Sequence, residues 1–411
     1  MIDFKKLSFV TQKDDRDNPQ AARQQQMAAQ DTSVIQKFDE IVAAALAKRA
    51  SEIHVEAMTE QTRVRFRIGK QLEEADSLEP KLHLNLVNRI KVLAAMDITK
   101  RGVAQKGYFK VKLEERDVEL VAIIMPTPVG EKALIKIQYR QSLGLNVSQL
   151  GMYPNILQEF KKLLDRPNGL LLIAGSPGSG RTTTCYACLQ ELNDPSKSVA
   201  SMESQIRYDL PGIIQSKPED RHDYSFLDGL RASVDMEPDV LYIGEMNDDA
   251  IARLALSAAF GKRIVVGRIN ASNGANAMLS LLDMGLPGFL VASGVLGVLS
   301  QRLVRRLCEN CRQAYRPDET VLAEIGVKRP DLTFFRAGGC DQCGQTGFIG
   351  HLGLFELFVP NDRVREKIIS RASAAEVYAA AAETGLVPLR HDGVRKVSQG
   401  LTTLEEVLAR L

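Results

Sequence analysis

The chain has 411 residues, enough for two or three domains at roughly 150 residues each, and its 45% hydrophobic content supplies cores for them. Disorder as the whole description is excluded. Lys and Arg number 53 against 51 Asp and Glu, a formal balance of +2, which removes the cheapest argument for a polyanion-coating protein.

Residues 1–32, with the run PQAARQQQMAAQ, offer no apolar face to bury and read as a flexible N-terminal arm. The opening residues carry no apolar leader and no stretch approaches the ~20 residues of a membrane span, so a cytoplasmic chain is expected. All six Cys fall in C-x-x-C pairs, the usage of thiols or metal ligands in a reducing compartment. From Ser33, VIQKFDEIVAAALAKR spaces apolar residues three and four apart and predicts an amphipathic helix. IHVEAM and TRVRFRI alternate in period two, 82–96 returns to helical spacing, and YFKVKL with VELVAII restores strands, so 33–140 is expected to be an α+β domain. A linker over 141–152, with Gly144 and Gly151, follows.

From residue 153 apolar strands alternate with helices: LLLIAG, TTTCYACLQEL, SVASME, DVLYIGE, AIARLALSAAF, RIVVGRI. This is the pattern of a mostly parallel sheet covered on both faces, hence α/β. Arg302, Arg305 and Arg306 are placed on a helix beside Leu303, Val304 and Leu307, as a solvated or subunit-facing basic stripe rather than a nucleic-acid contact. The part from 361 to 411 is expected to be helical, with Thr403 and Glu406 at capping-box spacing ahead of VLARL.

Gly175-Ser176-Pro177-Gly178-Ser179-Gly180-Arg181-Thr182, followed by Thr183, lies between an apolar strand and a helical pattern, the context of the phosphate-binding G-x-x-x-x-G-K-[ST] loop. Its glycines let backbone N–H groups face phosphate oxygens, the helix N-terminus adds partial positive charge, and the Thr182 hydroxyl suits Mg²⁺. The departure is Arg181, a wide planar fork where a lysine is usual. Against this stands a plain glycine-rich turn. Downstream, Glu245 ends DVLYIGE and Glu203 ends SVASME, so a parallel sheet would deliver both carboxylates at its C-terminal edge, where ligands bind. Glu245 is the first candidate for positioning water or holding the metal, Glu203 the second; alone, each is as easily a solvated strand end.

Cys308-x-x-Cys311 and Cys340-x-x-Cys343, separated by 28 residues, are two knuckles that together complete a tetrahedral thiolate site for structural Zn²⁺, the alternative being reduced, unligated thiols. Cys185 and Cys188 sit on the helix after the loop and read as core. His54, alternating with apolar residues, reads as a structural histidine.

These residues, with LPGI at 210–213, GLRA at 229–232, PDV at 238–240, IKVLAAMDI at 90–98, PTPVGEK at 126–132, LLDMGLPGFLVAS at 281–293, QRLVRRLC at 301–308 and QGLTTLEEVL, resemble the type II secretion and type IV pilus assembly ATPases over about 33–411. The resemblance implies a RecA-like P-loop NTPase domain over 153–411, with a zinc-binding insert at 305–350, preceded by a smaller PAS-like α+β domain. It further implies ATP and Mg²⁺ at the loop, a homo- or hetero-hexamer, an inner-membrane platform protein as partner, and peripheral association with the inner-membrane face without nucleic acid.

Several positions depart from the pattern of that family. The loop lysine is Arg181; the acidic box reads Glu203-Ser204-Gln205; the G-E-I-R-D segment reads Gly244-Glu245-Met246-Asn247-Asp248. The two-histidine segment corresponds to Phe260-Gly261-Lys262 and Val266-Gly267-Arg268-Ile269-Asn270, without either His, and two polar positions of the smaller domain are Val121 and Lys106. Phosphoryl transfer is almost wholly positioning and charge stabilisation, and one lost donor costs on the order of 10²–10³ in rate. The expectation is a nucleotide-binding subunit slow or inactive in hydrolysis. The alternatives are an active motor for pilin or pseudopilin assembly and a DNA-translocating RecA-like motor, the latter disfavoured by the neutral charge balance.

Overall fold

The computed structural model describes residues 7–10, 32–48, 50–68, 71–113, 116–138, 146–218, 224–317 and 333–410. These fall into two units, divided between Leu143 and Gly144.

In the first unit, strand β1 (Leu7–Val10) precedes helix α1 (Thr32–Ala47), followed by β2 (Glu52–Ala57), β3 (Thr62–Ile68), β4 (Gln71–Leu78), α2 (Pro80–Leu93), β5 (Gln105–Leu113), β6 (Arg116–Pro126) and β7 (Glu131–Gln138). The strands form one antiparallel sheet in the order β1-β5-β6-β7-β2-β3-β4. The period of two in TRVRFRI is spent as expected: Thr62, Val64 and Phe66 are buried, and the arginines between them take the other face. There Arg63 and Arg65 donate to Glu56 at 3.1 and 2.8 Å and Arg67 to Glu52 at 2.6 Å. The buried stripe of α1, Val34, Phe38, Ile41, Val42 and Ala45, packs with Leu86, Val87 and Ile90 of α2 over the apolar sheet face. His54 is buried and bonded to Glu52 at 3.0 Å. Of the segment expected to be an arm, Leu7–Val10 is a strand paired to β5, while residues 1–6 and 11–31 lie outside the described residues. In the linker, 141–145 lie outside them too, and Val147–Gln149 is a single 3₁₀ turn capped by Asn146.

The second unit continues with α3 (Pro154–Leu164), β8 (Gly169–Ala174), α4 (Arg181–Leu192), β9 (Val199–Met202), β10 (Ile214–Ser216), α5 (Phe226–Asp235), β11 (Val240–Ile243), α6 (Asp249–Ala259), β12 (Ile264–Ile269), α7 (Gly274–Asp283), α8 (Gly288–Gly294) and β13 (Val295–Leu307). Then come β14 (Gln313–Tyr315), β15 (Phe334–Arg336), β16 (Phe348–Phe358), α9 (Asp362–Ile369), α10 (Ala374–Ala382), α11 (Leu389–Ser398) and α12 (Leu404–Leu408). Its main sheet has the order β10-β9-β11-β12-β8-β13-β16, with only β16 antiparallel to its neighbour. All six residues of β8 are buried because the sheet is covered on both faces. Leu170, Leu172 and Ala174 face a core with α6 and α7, whereas Leu171 and Ile173 face one with Cys185, Cys188 and Leu189 of α4. Both of these cysteines are fully buried, and burial pushes the Cys185 thiol up to about 12.

The expected helix at 302–307 is instead the end of β13. The spacing of Leu303, Val304 and Leu307 fits a helical turn, but the segment is hydrogen-bonded along β16, with Arg302 opposite Leu354 and Val304 opposite Leu352, and this pairing overrides the local pattern. Arg305 then stacks 4.0 Å over the Phe348 ring and donates to Glu406, and Arg306 reaches Glu309. Thr403 caps α12, while the Glu406 side chain that a capping box would turn inward is held by Arg305.

Candidate functional site

The loop from Gly175 to Gly180 joins the end of β8 to the first turn of α4, so the amide groups of a helix N-terminus open beside it. Its shape depends on glycine. A Cβ on Gly175 would lie 2.4 Å from Ser179 Oγ and 2.7 Å from the Gln301 carbonyl, and Gly180, the residue before α4, has φ of +87°. The neighbouring strand β13 braces the turn, Gln301 Nε2 donating to the Ser179 carbonyl at 2.7 Å. Ser179 is buried, and Ser176, Pro177, Gly178 and Thr183 are exposed.

A cleft of about 490 Å³ lies over this loop, of a size suited to a small ligand. Pro177, Gly178, Gly180, Arg181, Thr182 and Thr183 contribute from the loop and α4, and Arg207, Glu245, Arg268 and Asn270 from strand ends and loops. Three arginines thus face a single carboxylate among the described lining residues.

Those arginines do different things. Arg181 does not stand free over the loop: its Nη1 donates to the Ile269 carbonyl at 2.7 Å and to Asn270 Oδ1 at 2.5 Å, which anchors the guanidinium at the end of β12. Burial, with the nearby charge of Arg268, holds its pKa below the ordinary arginine value. Arg268, on β12 beside β8, bridges two groups that chemistry at such a loop uses. Its Nη1 donates to Thr182 Oγ1 at 3.0 Å and its Nη2 to Glu245 Oε1 at 2.9 Å. Sequence reasoning placed Arg268 only in a segment lacking a histidine; the signal available was a gained cation on the strand flanking the loop strand.

Glu203 is placed differently from Glu245. Glu245 is 41% exposed at its side chain and lines the cleft, whereas Glu203 is 2% exposed and does not. The Glu203 carboxylate accepts from Tyr186 at 2.5 Å, Ser201 at 2.8 Å and Gln215 at 3.2 Å. Burial raises its pKa even against these bonds.

The loop suits phosphate, but the arrangement around Thr182 does not suit Mg²⁺. A magnesium ion takes oxygens at about 2.0–2.1 Å in an octahedron. Here a guanidinium, which offers five N–H donors and no lone pair, sits between the hydroxyl and one carboxylate oxygen, where a metal bridging them would lie, and two positive side chains repel a further cation.

The four cysteines form a second site in the same unit. Cys308 and Cys311 follow β13, Cys340 and Cys343 precede β16, and all four sulfurs lie within 4.8 Å of one another. Cys308–Cys340 and Cys311–Cys343 are 3.8 Å apart and Cys340–Cys343 3.7 Å. A tetrahedron with Zn–S bonds of about 2.3 Å has S···S edges of about 3.8 Å, so the donor set fits zinc. Asn310 Nδ2 lies 3.4 Å from Cys340 Sγ and the Gly347 N–H 3.1 Å from Cys343 Sγ. The Asn310 bond and the Cys343 backbone N–H hold the Cys340 thiol down to about 6, whereas burial and the neighbouring sulfurs push the Cys311 thiol up to about 12.

The model of the type II/IV secretion system protein family matches residues 27–409. The chain belongs to that family. It is 37% identical over 381 residues to type II secretion system protein E of Pseudomonas aeruginosa, covering 92% of this chain and 75% of that one. It is 34% identical to the type IV pilus assembly ATPase PilB of Thermus thermophilus, over 92% of this chain and 43% of the relative. Among solved structures, the Legionella pneumophila ATPase DotB superposes with a TM-score of 0.65 at 16% identity, covering 90% of this chain and 94% of that one. The pilus retraction motor PilT with bound ADP superposes with 0.66 at 20% identity, covering 90% and 96%. These two likenesses show the α/β fold alone; the four-cysteine cluster is a feature of this chain. Among the described residues no helix is long and apolar enough to cross a membrane.

Proposed function

We propose that this family member binds nucleotide at Gly175–Thr183 and turns it over slowly or not at all, serving a type II secretion or type IV pilus machine as a nucleotide-holding subunit. One observation carries this reading: Glu245, the sole carboxylate among the described lining residues of the cleft, is ion-paired to Arg268 at 2.9 Å. A base or water-orienting acid needs its lone pairs directed at the reacting water, and a carboxylate held in an ion pair by an adjacent guanidinium has lost freedom of aim. Arg181, tied to Ile269 and Asn270, is likewise drawn away from the place of a β/γ-phosphate cation. Glu203, buried among Tyr186, Ser201 and Gln215, supports the strand edge rather than touching substrate.

Family membership and the cysteine geometry support the remaining parts of this reading. The chain joins a ring of six, with copies of itself or an active relative, against an inner-membrane platform on the cytoplasmic side. Cys308, Cys311, Cys340 and Cys343 hold one structural zinc with no open coordination position. The test is release of phosphate from Mg-ATP by the purified, oligomeric protein. The expected result is nucleotide bound without turnover; a rate on the order of 1 s⁻¹ or above, within the ordinary enzyme range, overturns it.

A further inference from the structure

Resting on the nucleotide-binding reading above, we propose that this cleft takes its nucleoside di- or triphosphate without a divalent cation, the Arg268 guanidinium standing where the metal would be held. Thr182, in the first turn of the helix after the loop, and Glu245, the one carboxylate among the described lining residues, have oxygens that suit Mg²⁺, and Arg268 donates one nitrogen to each, at 3.0 and 2.9 Å. A fork of two parallel N–H donors can satisfy two oxygens at once, which an ammonium on a lysine does poorly. Arg268 is also well placed to stay: its strand is hydrogen-bonded to β8 on one side and β11 on the other, and the side chain is 20% exposed.

Charge favours the same conclusion. A nucleoside triphosphate stripped of magnesium carries roughly twice the negative charge of its magnesium complex, so it needs more fixed cations. Arg181, Arg207 and Arg268 line the cleft against Glu245 alone. The substitution explains why binding and hydrolysis separate here. A guanidinium supplies one positive charge and hydrogen bonds to an anion, but it holds no ordered shell of ligand oxygens and polarises a leaving phosphate less than a divalent ion does.

The experiment is calorimetric titration of the full chain, purified with its zinc, with ATP and ADP in buffers cleared of divalent cations by chelating resin and again with saturating Mg²⁺. Affinity without Mg²⁺ equal to that with it, within about threefold, or tighter, is the expected result; a loss of about tenfold or more without Mg²⁺ overturns the inference while leaving the nucleotide reading intact. Absence of heat in both buffers overturns both. Arg268→Ala, checked for native melting, sharpens the result. It frees Thr182 and Glu245, so metal-free affinity is expected to fall by about tenfold and Mg²⁺ to restore most of it, a switch in metal dependence that a merely structural arginine would not produce. If Arg268→Ala weakens binding equally in the two buffers, Arg268 does not stand in for the metal and the proposal fails. Inorganic triphosphate as titrant separates recognition of the phosphates from recognition of the nucleoside.

Discussion

The phosphate-loop cleft and the cysteine cluster are both motif-built sites on one folded unit, yet they relate differently to the ion that such motifs hold. Three of the edges between the cysteine sulfurs measure 3.7–3.8 Å, the spacing of a tetrahedral thiolate metal site, all four sulfurs lie within 4.8 Å, and Asn310 and Gly347 add N–H···S contacts. In the cleft the loop makes a strand-to-helix glycine turn, but Thr182 Oγ1 and Glu245 Oε1 both accept from Arg268. Glycine positions answer to sterics local to the turn; ligand oxygens answer to whatever cation the fold brings near.

The largest expected effect is at the cysteines. Cys340→Ser removes one of four thiolates and exchanges a soft sulfur for a hydroxyl, so zinc measured by plasma mass spectrometry is expected to drop from one per chain to background. Structural zinc contributes on the order of 10 kcal/mol to the segment that binds it, so hydrogen exchange around Cys308–Cys311 and Cys340–Phe348 is expected to lose protection. Retention of zinc by this variant would break the contrast between the two sites.

A second effect compares ion pairs. Lys396 and Asp392 lie 2.7 Å apart with side chains 4% and 0% exposed, Lys396 also donating to the Gly353 carbonyl and Asp392 accepting the Phe355 N–H. Lys396→Met leaves a buried carboxylate without its cation and is expected to cost about 3–5 kcal/mol in urea unfolding of this unit. Burial already raises the Asp392 pKa against the pull of Lys396. With the lysine gone it rises further, so the cost is full above the folded-state value and shrinks as pH falls toward the ordinary carboxylate range. Arg268–Glu245, half open to water, is expected to show no comparable cost, since exposed pairs contribute about 0–1 kcal/mol.

A third, smaller effect tests the loop backbone by itself. Gly180→Ala forces a side chain into φ of +87°, where an L-residue loses about 1–2 kcal/mol, and its Cβ would sit 3.1 Å from Gln301 Nε2. A fall in unfolding free energy of that order is expected, with weaker ATP binding in calorimetry. An unchanged protein would mean the turn is not held as rigidly as the Gln301 bond to Ser179 implies.

What was legible in the sequence follows the range of the interactions. The apolar run LLLIA between turn signals, the alternation of TRVRFRI and the C-x-x-C spacing are all local, and each marks its element without reference to the rest of the chain. The segment 302–307 reads locally as helix because its spacing is ambiguous and the deciding partner, β16, lies some fifty residues on. The roles of Arg268 and Tyr186 were illegible for the same reason. A guanidinium meets Thr182 and Glu245, and a phenol meets Glu203, only once the parallel strands have set their ends side by side.

The smallest expected effect discriminates most. Where a carboxylate orients or deprotonates the attacking water, its amide costs on the order of 10²–10³ in rate, because the amide is isosteric but cannot accept the proton. Glu245→Gln is therefore a test of chemistry with little change of shape: the Gln oxygen can still accept from Arg268, so folding and nucleotide affinity are expected to hold. If Glu245 is spent on Arg268, phosphate release by the parent and by Glu245→Gln agree within about threefold, both at the floor of the assay. A drop of about a hundredfold in the variant would show that the acid is working, that the 2.9 Å ion pair opens when ATP arrives, and that the cleft fills its expected role as fully as the cysteines fit theirs.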